Sequence, residues 1–129
     1  MPETLQQLSY PKEEWEIAKK YIAPAIKHQD LYLLEDVEAK IYDGTFQLWP
    51  GKQSAFITEV NYFPQKTTIN LLFCGGKYEE LEAMLPLIEE FARRIGATRF
   101  YGGGRPGWIK KIKHLGFKSE NLISKDLEL

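Results

Sequence analysis

One stretch decides the fold of this chain: Thr67-Thr68-Ile69-Asn70-Leu71-Leu72-Phe73-Cys74-Gly75-Gly76. In its first eight residues, Ile69, Leu71 and Phe73 share one side and Leu72 adds apolar surface to the other, which predicts a central strand covered on both faces. Beyond the glycines, apolar residues recur at steps of three and four as far as Ile95, which predicts an amphipathic helix. The stretch therefore predicts a strand, a glycine turn and a helix.

The glycine pair, Gly75 and Gly76, has two interpretations. A Gly-Gly turn that leads into a helix leaves backbone N–H groups free and lets a ligand come close, which suits a phosphate group. The pair can equally be a tight strand-to-helix turn, because two adjacent glycines lack the spacing of the specific phosphate-binding motifs. Both interpretations stay open at this point.

The composition is typical of a single globular domain that spans residues 1–129. The 17 basic and 18 acidic side chains nearly cancel, so the overall charge does not predict nucleic-acid binding. Cys74 is the single cysteine, which excludes an internal disulfide and predicts no metal site. The polar start of the chain is unlike a signal peptide, and no apolar run is long enough to cross a membrane. We therefore expect a soluble protein in the cytoplasm, without a membrane or nucleic-acid partner.

The remaining periodicity predicts helices around a sheet. The predicted elements beside the central stretch are helices over 11–28, 33–42 and 106–115, and strands over 45–49, 54–62, 98–101 and within 117–127. Short turns between the first three strands predict an antiparallel meander. The long helix between the strands at 67–74 and 98–101 predicts a parallel β-α-β unit. The predicted fold class is α/β (α+β), a mixed sheet with flanking helices.

Glu59 is the first candidate for chemistry. It lies in the middle of the second predicted strand, on the same side as Ile57 and Asn61 by alternation. A carboxylate on a sheet face can act as a general base if burial raises its pKa toward the working pH. It can also be an ordinary solvent-facing strand residue, since antiparallel sheets often have one open face.

A glycine-rich string around Arg105 is the second candidate. It reads Gly102-Gly103-Gly104-Arg105-Pro106-Gly107-Trp108 and ends a strand just before a short helix. Free N–H groups and the guanidinium of Arg105 would favour an anion at Gly104, Arg105 and Gly107. The mechanical alternative is a tight bend in which Trp108 fills the core. A basic helix surface follows, with Lys110, Lys111, Lys113 and His114.

The order of elements resembles the GNAT fold of N-acetyltransferases over nearly the whole chain. Two helices precede a meander, a glycine turn leads into a long helix, and a strand and short helix end at Leu115-Gly116-Phe117. Four motifs further resemble GNAT-like proteins encoded by tailed bacteriophages and prophages. These motifs are Leu48-Trp49-Pro50-Gly51, Ser54-Ala55-Phe56-Ile57-Thr58-Glu59-Val60, Cys74-Gly75-Gly76 and Gly104-Arg105-Pro106-Gly107-Trp108.

The resemblance implies acyl transfer with acetyl-CoA as the donor. In the family, the loop after the last meander strand holds the pyrophosphate, and the matching residues here are Phe73, Cys74, Gly75, Gly76, Lys77 and Tyr78. Glu59 lies on a strand that often supplies the general base. The tyrosine that the family often places before Leu-Gly-Phe is Ile112 here, so the resemblance leaves Tyr101 or Tyr78 as the proton donor.

Two functions are therefore alternatives. The first is an N-acyltransferase that uses acetyl-CoA and a small amine or a protein amine as acceptor. The second is a non-catalytic phage virion-associated or protein-binding module, in which residues 104–108 and the basic helix contact a phage or host protein. The first places the chain in the cytoplasm, which is the host cytoplasm for a phage protein, and the second allows a place in the virion.

Overall fold

The structure is a computed structural model that describes residues 11–103 and 106–128. The helices are α1 (Lys12–Ile26), α2 (Leu34–Tyr42), α3 (Tyr78–Arg94) and α4 (Pro106–Ile112), and a 3₁₀ turn follows at Lys113–Leu115. The strands are β1 (Phe46–Pro50), β2 (Ser54–Tyr62), β3 (Thr67–Gly76) and β4 (Ala97–Gly102).

The four strands form one mixed sheet in the order β1-β2-β3-β4. The first three are antiparallel neighbours, and β4 lies parallel to β3 after the crossover through α3. The predicted α/β (α+β) class, with a meander and a β-α-β unit, is confirmed.

Charges at the helix ends agree with the helix dipole. Glu79 and Glu80 lie in the first turn of α3, whereas Arg93 and Arg94 lie in its last turn. In α2, the Leu33 N–H donates to the Asp36 carboxylate at 2.8 Å, which satisfies one of the unpaired amides at that helix start.

A β-bulge at Leu72 changes which face each half of β3 serves. Ile57 pairs with Phe73, but the next residue of β2, Thr58, pairs with Leu71. Leu71 therefore packs on the α3 side, while Phe73 packs on the α1 side. The prediction that Leu71 and Phe73 share one face is wrong, because an extra residue between them reverses the alternation.

Two cores lie on opposite faces of the sheet. On one face of the sheet, which we call the α1 face, α1 and α2 cover a core that includes Trp15, Val37 and Ile57. On the other, the α3 face, α3 covers a core that includes Phe56 and Ile88. Where helices cover both faces, the strands carry apolar side chains on both sides.

Two predictions about the ends of elements are wrong. The strand predicted within 117–127 does not form, since residues 117–128 contain no helix or strand. Leu122 and Ile123 of this segment are 93% and 94% exposed, so they gain no burial that would hold a strand in place. The predicted glycine turn is also shorter than expected: Gly75 and Gly76 belong to β3 and pair with Ala55 and Ser54.

Two buried threonines, one with and one without hydrogen-bond partners, test how much buried hydrogen bonds contribute to stability. Thr58 is fully buried, accepts a hydrogen bond from Trp49 Nε1 at 2.9 Å and donates one to Gln47 Oε1 at 2.9 Å. We expect Thr58→Val to lower the free energy of unfolding by about 1–3 kcal/mol, because it leaves both partners unsatisfied. Thr68 is equally buried, but its hydroxyl has no hydrogen-bond partner among the described residues. Thr68→Val is therefore expected to equal or exceed wild-type stability in urea unfolding, and a loss as large as that of Thr58→Val would contradict the assignment.

Candidate functional site

Three polar side chains lie in one row across the sheet. Glu59 of β2 pairs with Asn70 of β3, and Asn70 pairs with Tyr101 of β4. Residues directly opposite one another on neighbouring strands project to the same side. Ile57, two positions before Glu59, belongs to the α1 core, so this polar row, Glu59-Asn70-Tyr101, lies on the α1 face.

The polar row is open enough to be reached by a small molecule. Glu59 and Asn70 are half-buried, and Tyr101 is 40% exposed. Neighbouring strands lie about 4.8 Å apart, so a span of about 10 Å separates the backbones of Glu59 and Tyr101. Two groups at that separation can face opposite sides of one reacting centre.

A cleft of about 370 Å³ adjoins the Tyr101 end of the polar row. Its lining residues are Phe63, Gln65, Lys66, Thr68, Arg99 and Tyr101. Arg99 Nη1 donates a hydrogen bond of 2.6 Å to the Tyr101 hydroxyl, and the guanidinium also lies over the tyrosine ring, 5.4 Å from its centre. The hydroxyl thus accepts from Arg99 and keeps its own hydrogen for donation to another acceptor.

The glycine pair is packed against the protein's own backbone. A Cβ added at Gly75 would lie 2.0 Å from the Tyr21 carbonyl oxygen of α1. A Cβ at Gly76 would lie 2.2 Å from the Gln53 carbonyl oxygen, and Gly76 also has a φ of +103°. Gly75 is required for close packing and Gly76 for close packing and backbone conformation, since the Cβ side of each is occupied.

A carboxylate holds the start of α3 to the turn between β1 and β2. Glu80 Oε1 accepts hydrogen bonds from Ser54 Oγ at 2.6 Å and from the Gln53 N–H at 3.0 Å. These bonds lower the pKa of Glu80, with the Ser54 hydroxyl as the main cause. The Lys77 N–H donates to the Gln53 carbonyl at 3.0 Å, so the connection between β3 and α3 is fixed from both sides.

Replacing Glu80 tests this connection. We expect Glu80→Gln to lower Tm at pH 7, because the lowered pKa means that folding favours the charged carboxylate. That stabilisation is present above the unfolded pKa, about 4.5, and is lost as the pH falls through the lower folded value. The Tm difference between wild type and Glu80→Gln should therefore shrink at pH 3. Glu79→Gln is the control, and an equal loss of Tm in both variants would contradict a specific role for Glu80.

The second candidate string lies on the other face of the sheet, as far as it is described. Trp108 packs with the α3 core and makes edge contacts with the rings of Phe56 and Tyr78, at 6.2 and 6.3 Å between centres. Gly107 lies in α4, whereas Gly104 and Arg105 fall outside the described residues. Trp108 therefore belongs to the face opposite the polar row.

The two candidate proton donors, Tyr101 and Tyr78, lie in different parts of the structure. Tyr101 lies in the polar row, but the Tyr78 hydroxyl donates to the Lys111 carbonyl at 3.3 Å, between α3 and α4. Burial and, next, a hydrogen bond with Glu82 raise the pKa of Tyr78. Phe73 and Cys74, at the other end of the predicted cofactor loop, pack into the α1 and α3 cores respectively.

Comparison with solved structures identifies the fold. TTHA1254 from Thermus thermophilus matches with a TM-score of 0.64 at 14% identity, over 93% of this chain and 94% of that one. A probable acetyltransferase matches with a TM-score of 0.66 at 12% identity, over 94% and 95% of the two chains. This chain has a GNAT-like fold. An aminoglycoside acetyltransferase from an uncultured soil metagenomic sample, solved in complex with sisomicin, matches at 0.53 and 9% identity over 99% and 89%.

No protein-family profile and no curated protein matches this GNAT-like chain. Within residues 11–103 and 106–128, no helix is long and apolar enough to cross a membrane. The same residues contain no group of three His, Cys, Asp or Glu side chains that could hold a metal ion.

The start of α3 in this GNAT-like fold offers few groups that could hold a diphosphate. The helix start offers the N–H groups of Tyr78 and Glu79, which have no acceptor within the helix, and the exposed Lys77 side chain. In contrast, the Cβ sides of Gly75 and Gly76 are occupied by the protein's own backbone, and the Glu80 carboxylate places negative charge beside the same turn. A diphosphate here would have to rely on Lys77 and the first amides of the helix.

The structure also brings in residues that sequence reasoning missed. Asn70 and Thr68 line the α1 face of β3, and Arg99 joins them from β4. The available signal was the polar alternation of Thr68 and Asn70 within a strand that is otherwise apolar. Arg99 had no such signal, because its position relative to β3 depends on strand register.

Proposed function

We propose that this GNAT-like chain is an N-acyltransferase that moves an acyl group from acyl-CoA to an amine at the polar row. The observation that carries the proposal is the row itself, in which Glu59 and Tyr101 share one face of the sheet with Asn70 between them. A carboxylate and a phenol are the base and acid that aminolysis of a thioester requires. The fold, which is that of acetyltransferase structures, supports the same chemistry.

In this proposal Glu59 and Tyr101 move the protons. Acetyl-CoA supplies the acetyl thioester. Glu59 accepts a proton from the acceptor amine, directly or through a water molecule, so that the nitrogen lone pair can form the C–N bond. As the C–S bond breaks, Tyr101 donates its hydroxyl proton to the departing sulfur. Asn70, which lies between the two, orients the acyl oxygen or the amine by hydrogen bonding.

Donor binding rests on few groups of the chain. Lys77 and the first amides of α3 would hold the diphosphate, because the Cβ sides of Gly75 and Gly76 are occupied by backbone. We therefore propose weak binding of acetyl-CoA. The cytoplasm stays the proposed location.

A second candidate function is the non-catalytic module that binds another protein. The packed glycine pair favours it, because the fold can persist without a diphosphate site. In that case the basic helix after Trp108 would contact the partner, and phage origin stays a prediction. Arg105→Ala would then abolish partner binding.

Titration with acetyl-CoA tests the proposal. A ligand at one hundred times its Kd should raise the free energy of unfolding by about 2.7 kcal/mol, which raises Tm by several degrees. We expect a saturable rise in Tm with acetyl-CoA, weakened in Lys77→Gln but not in Lys12→Gln, which changes an exposed lysine at the start of α1. If millimolar acetyl-CoA neither changes Tm nor gives calorimetric heat, the acyltransferase function is refuted. The non-catalytic protein-binding module then remains as the candidate function.

A further inference from the structure

We propose that the cleft beside the polar row binds an anionic group, a carboxylate or a phosphate, carried by the acceptor amine. The cleft is the one lined by Phe63, Gln65, Lys66, Thr68, Arg99 and Tyr101. The identification of the bound molecule as the acceptor rests on the acyltransferase function proposed above. The anion site itself rests on the charges and hydrogen-bonding groups of the cleft.

The cleft carries positive charge without a counter-charge. Its lining contains two cations, Lys66 and Arg99, and no carboxylate. Neither cation forms an ion pair with any described residue, whereas the helix arginines Arg93 and Arg94 are paired with acidic residues one turn earlier. Arg99 instead donates a hydrogen bond to the Tyr101 hydroxyl. Its remaining N–H groups form the planar fork that suits a carboxylate or phosphate.

The cleft also contains a buried hydroxyl without a partner. Thr68 is 1% exposed and lines the cleft, and its Oγ1 atom has no hydrogen-bond partner among the described residues. Buried polar groups are nearly always satisfied, so an unsatisfied one next to a cavity indicates a missing partner. Less than 1 Å² of Oγ1 is exposed, so an anion held by Arg99 and Lys66 would accept the hydrogen bond of Thr68 after a small movement of the side chain.

The distance from the cleft to the polar row sets the length of the ligand. Thr68 and Asn70 are two residues apart on β3, so the Thr68 end of the cleft lies about 7 Å along the strand from the polar row, whereas the Arg99 guanidinium reaches the Tyr101 hydroxyl. The acceptor would therefore carry its anionic group several atoms from the reacting amine. The rings of Phe63 and Tyr101 line the cleft and favour an apolar or aromatic connection between the two groups.

The same charges disfavour a polycationic acceptor. Two unpaired cations repel a ligand with several positive charges, as aminoglycosides carry. We therefore infer a different acceptor class from that of the aminoglycoside acetyltransferase that shares this fold.

Matched amines with and without an anionic group test the inference. The probes are 4-(aminomethyl)benzoate against benzylamine, and 2-aminoethyl phosphate against ethylamine, titrated by calorimetry in buffer free of phosphate. In at least one pair, we expect the anionic amine to bind at least tenfold more tightly than the amine without the anionic group. This difference in affinity should become smaller as the salt concentration rises. The pair that shows it distinguishes a carboxylate from a phosphate.

Three variants locate the site. Arg99→Gln should abolish the higher affinity of the anionic amine over its neutral counterpart. Thr68→Val, which is expected to be as stable as wild type, should reduce this difference in affinity. Arg93→Gln is the control, since Arg93 is a paired and exposed helix arginine, and should leave the advantage unchanged. Equal binding within both pairs, or an advantage that survives in Arg99→Gln, would overturn the anion site.

Transfer assays separate this inference from the function on which it rests. Anionic probes that bind through Arg99 but are never acylated would support the anion site and overturn the acceptor assignment together with the acyltransferase. Acylation of both members of each pair at equal rates would support the acyltransferase and overturn the anion site.

Discussion

Replacing Glu59 with glutamine is expected to lower kcat for acyl transfer by a factor of about 10² to 10⁴ at neutral pH, the usual contribution of a positioned general base. Glutamine keeps the shape of the side chain but cannot accept the amine proton. KM for the acceptor should change little, since the substitution leaves the cleft at Lys66 and Arg99 intact. The measurement is the initial rate of CoA thiol release with saturating donor and acceptor.

A control and a companion variant make this result specific. Glu13→Gln, on the exposed side of α1, should retain the wild-type rate. Tyr101→Phe removes the proposed proton donor from the same row and should also lower kcat. Full turnover by Glu59→Gln would remove the carboxylate from the mechanism, even if the chain proved to be an acyltransferase.

Replacing Gly75 with alanine is expected to destabilise the fold by about 3 kcal/mol, near the upper end of the usual range for overpacking. The added Cβ would lie 2.0 Å from the Tyr21 carbonyl oxygen, and a backbone atom within α1 cannot move away without displacing the helix. Urea unfolding of the protein without ligand measures the loss.

Gly103→Ala is the matched control, because nothing lies within 4 Å of a Cβ at that position. It should alter stability by no more than about 0.5 kcal/mol, as for ordinary surface changes. If Gly75→Ala instead kept wild-type stability and lost acetyl-CoA binding, Gly75 would have to be assigned to the ligand and not to packing.

Local patterns in the sequence predicted most of the elements. The alternation before Gly75 and the three- and four-residue spacing after it indicated the β-α-β unit, since each depends on neighbours in the chain. The same alternation predicts that Glu59 is a strand residue on the Ile57 side. That Glu59 and Tyr101 share a row depends on the register of β2, β3 and β4, which long-range pairing sets.

Other features depend on contacts between distant parts of the chain. Gly75 and Gly76 pack against Tyr21 and Gln53, and local patterns cannot show such contacts, so the sequence alone leaves both interpretations of the pair open. The bulge at Leu72 reversed the side of Phe73 and is invisible to an alternation rule. The apolar residues at 122 and 123 look like part of a strand, but they stay exposed and form none.

The most direct test of acyl transfer at the polar row is mass spectrometry of matched amines after incubation with acetyl-CoA carrying carbon-13 in its acetyl group. We expect labelled acetyl on the amine nitrogen, several turnovers per protein molecule, and loss of this product in Glu59→Gln but not in Glu13→Gln. Wild-type protein that binds acetyl-CoA yet leaves every amine unlabelled above the buffer blank would contradict acyl transfer at this site.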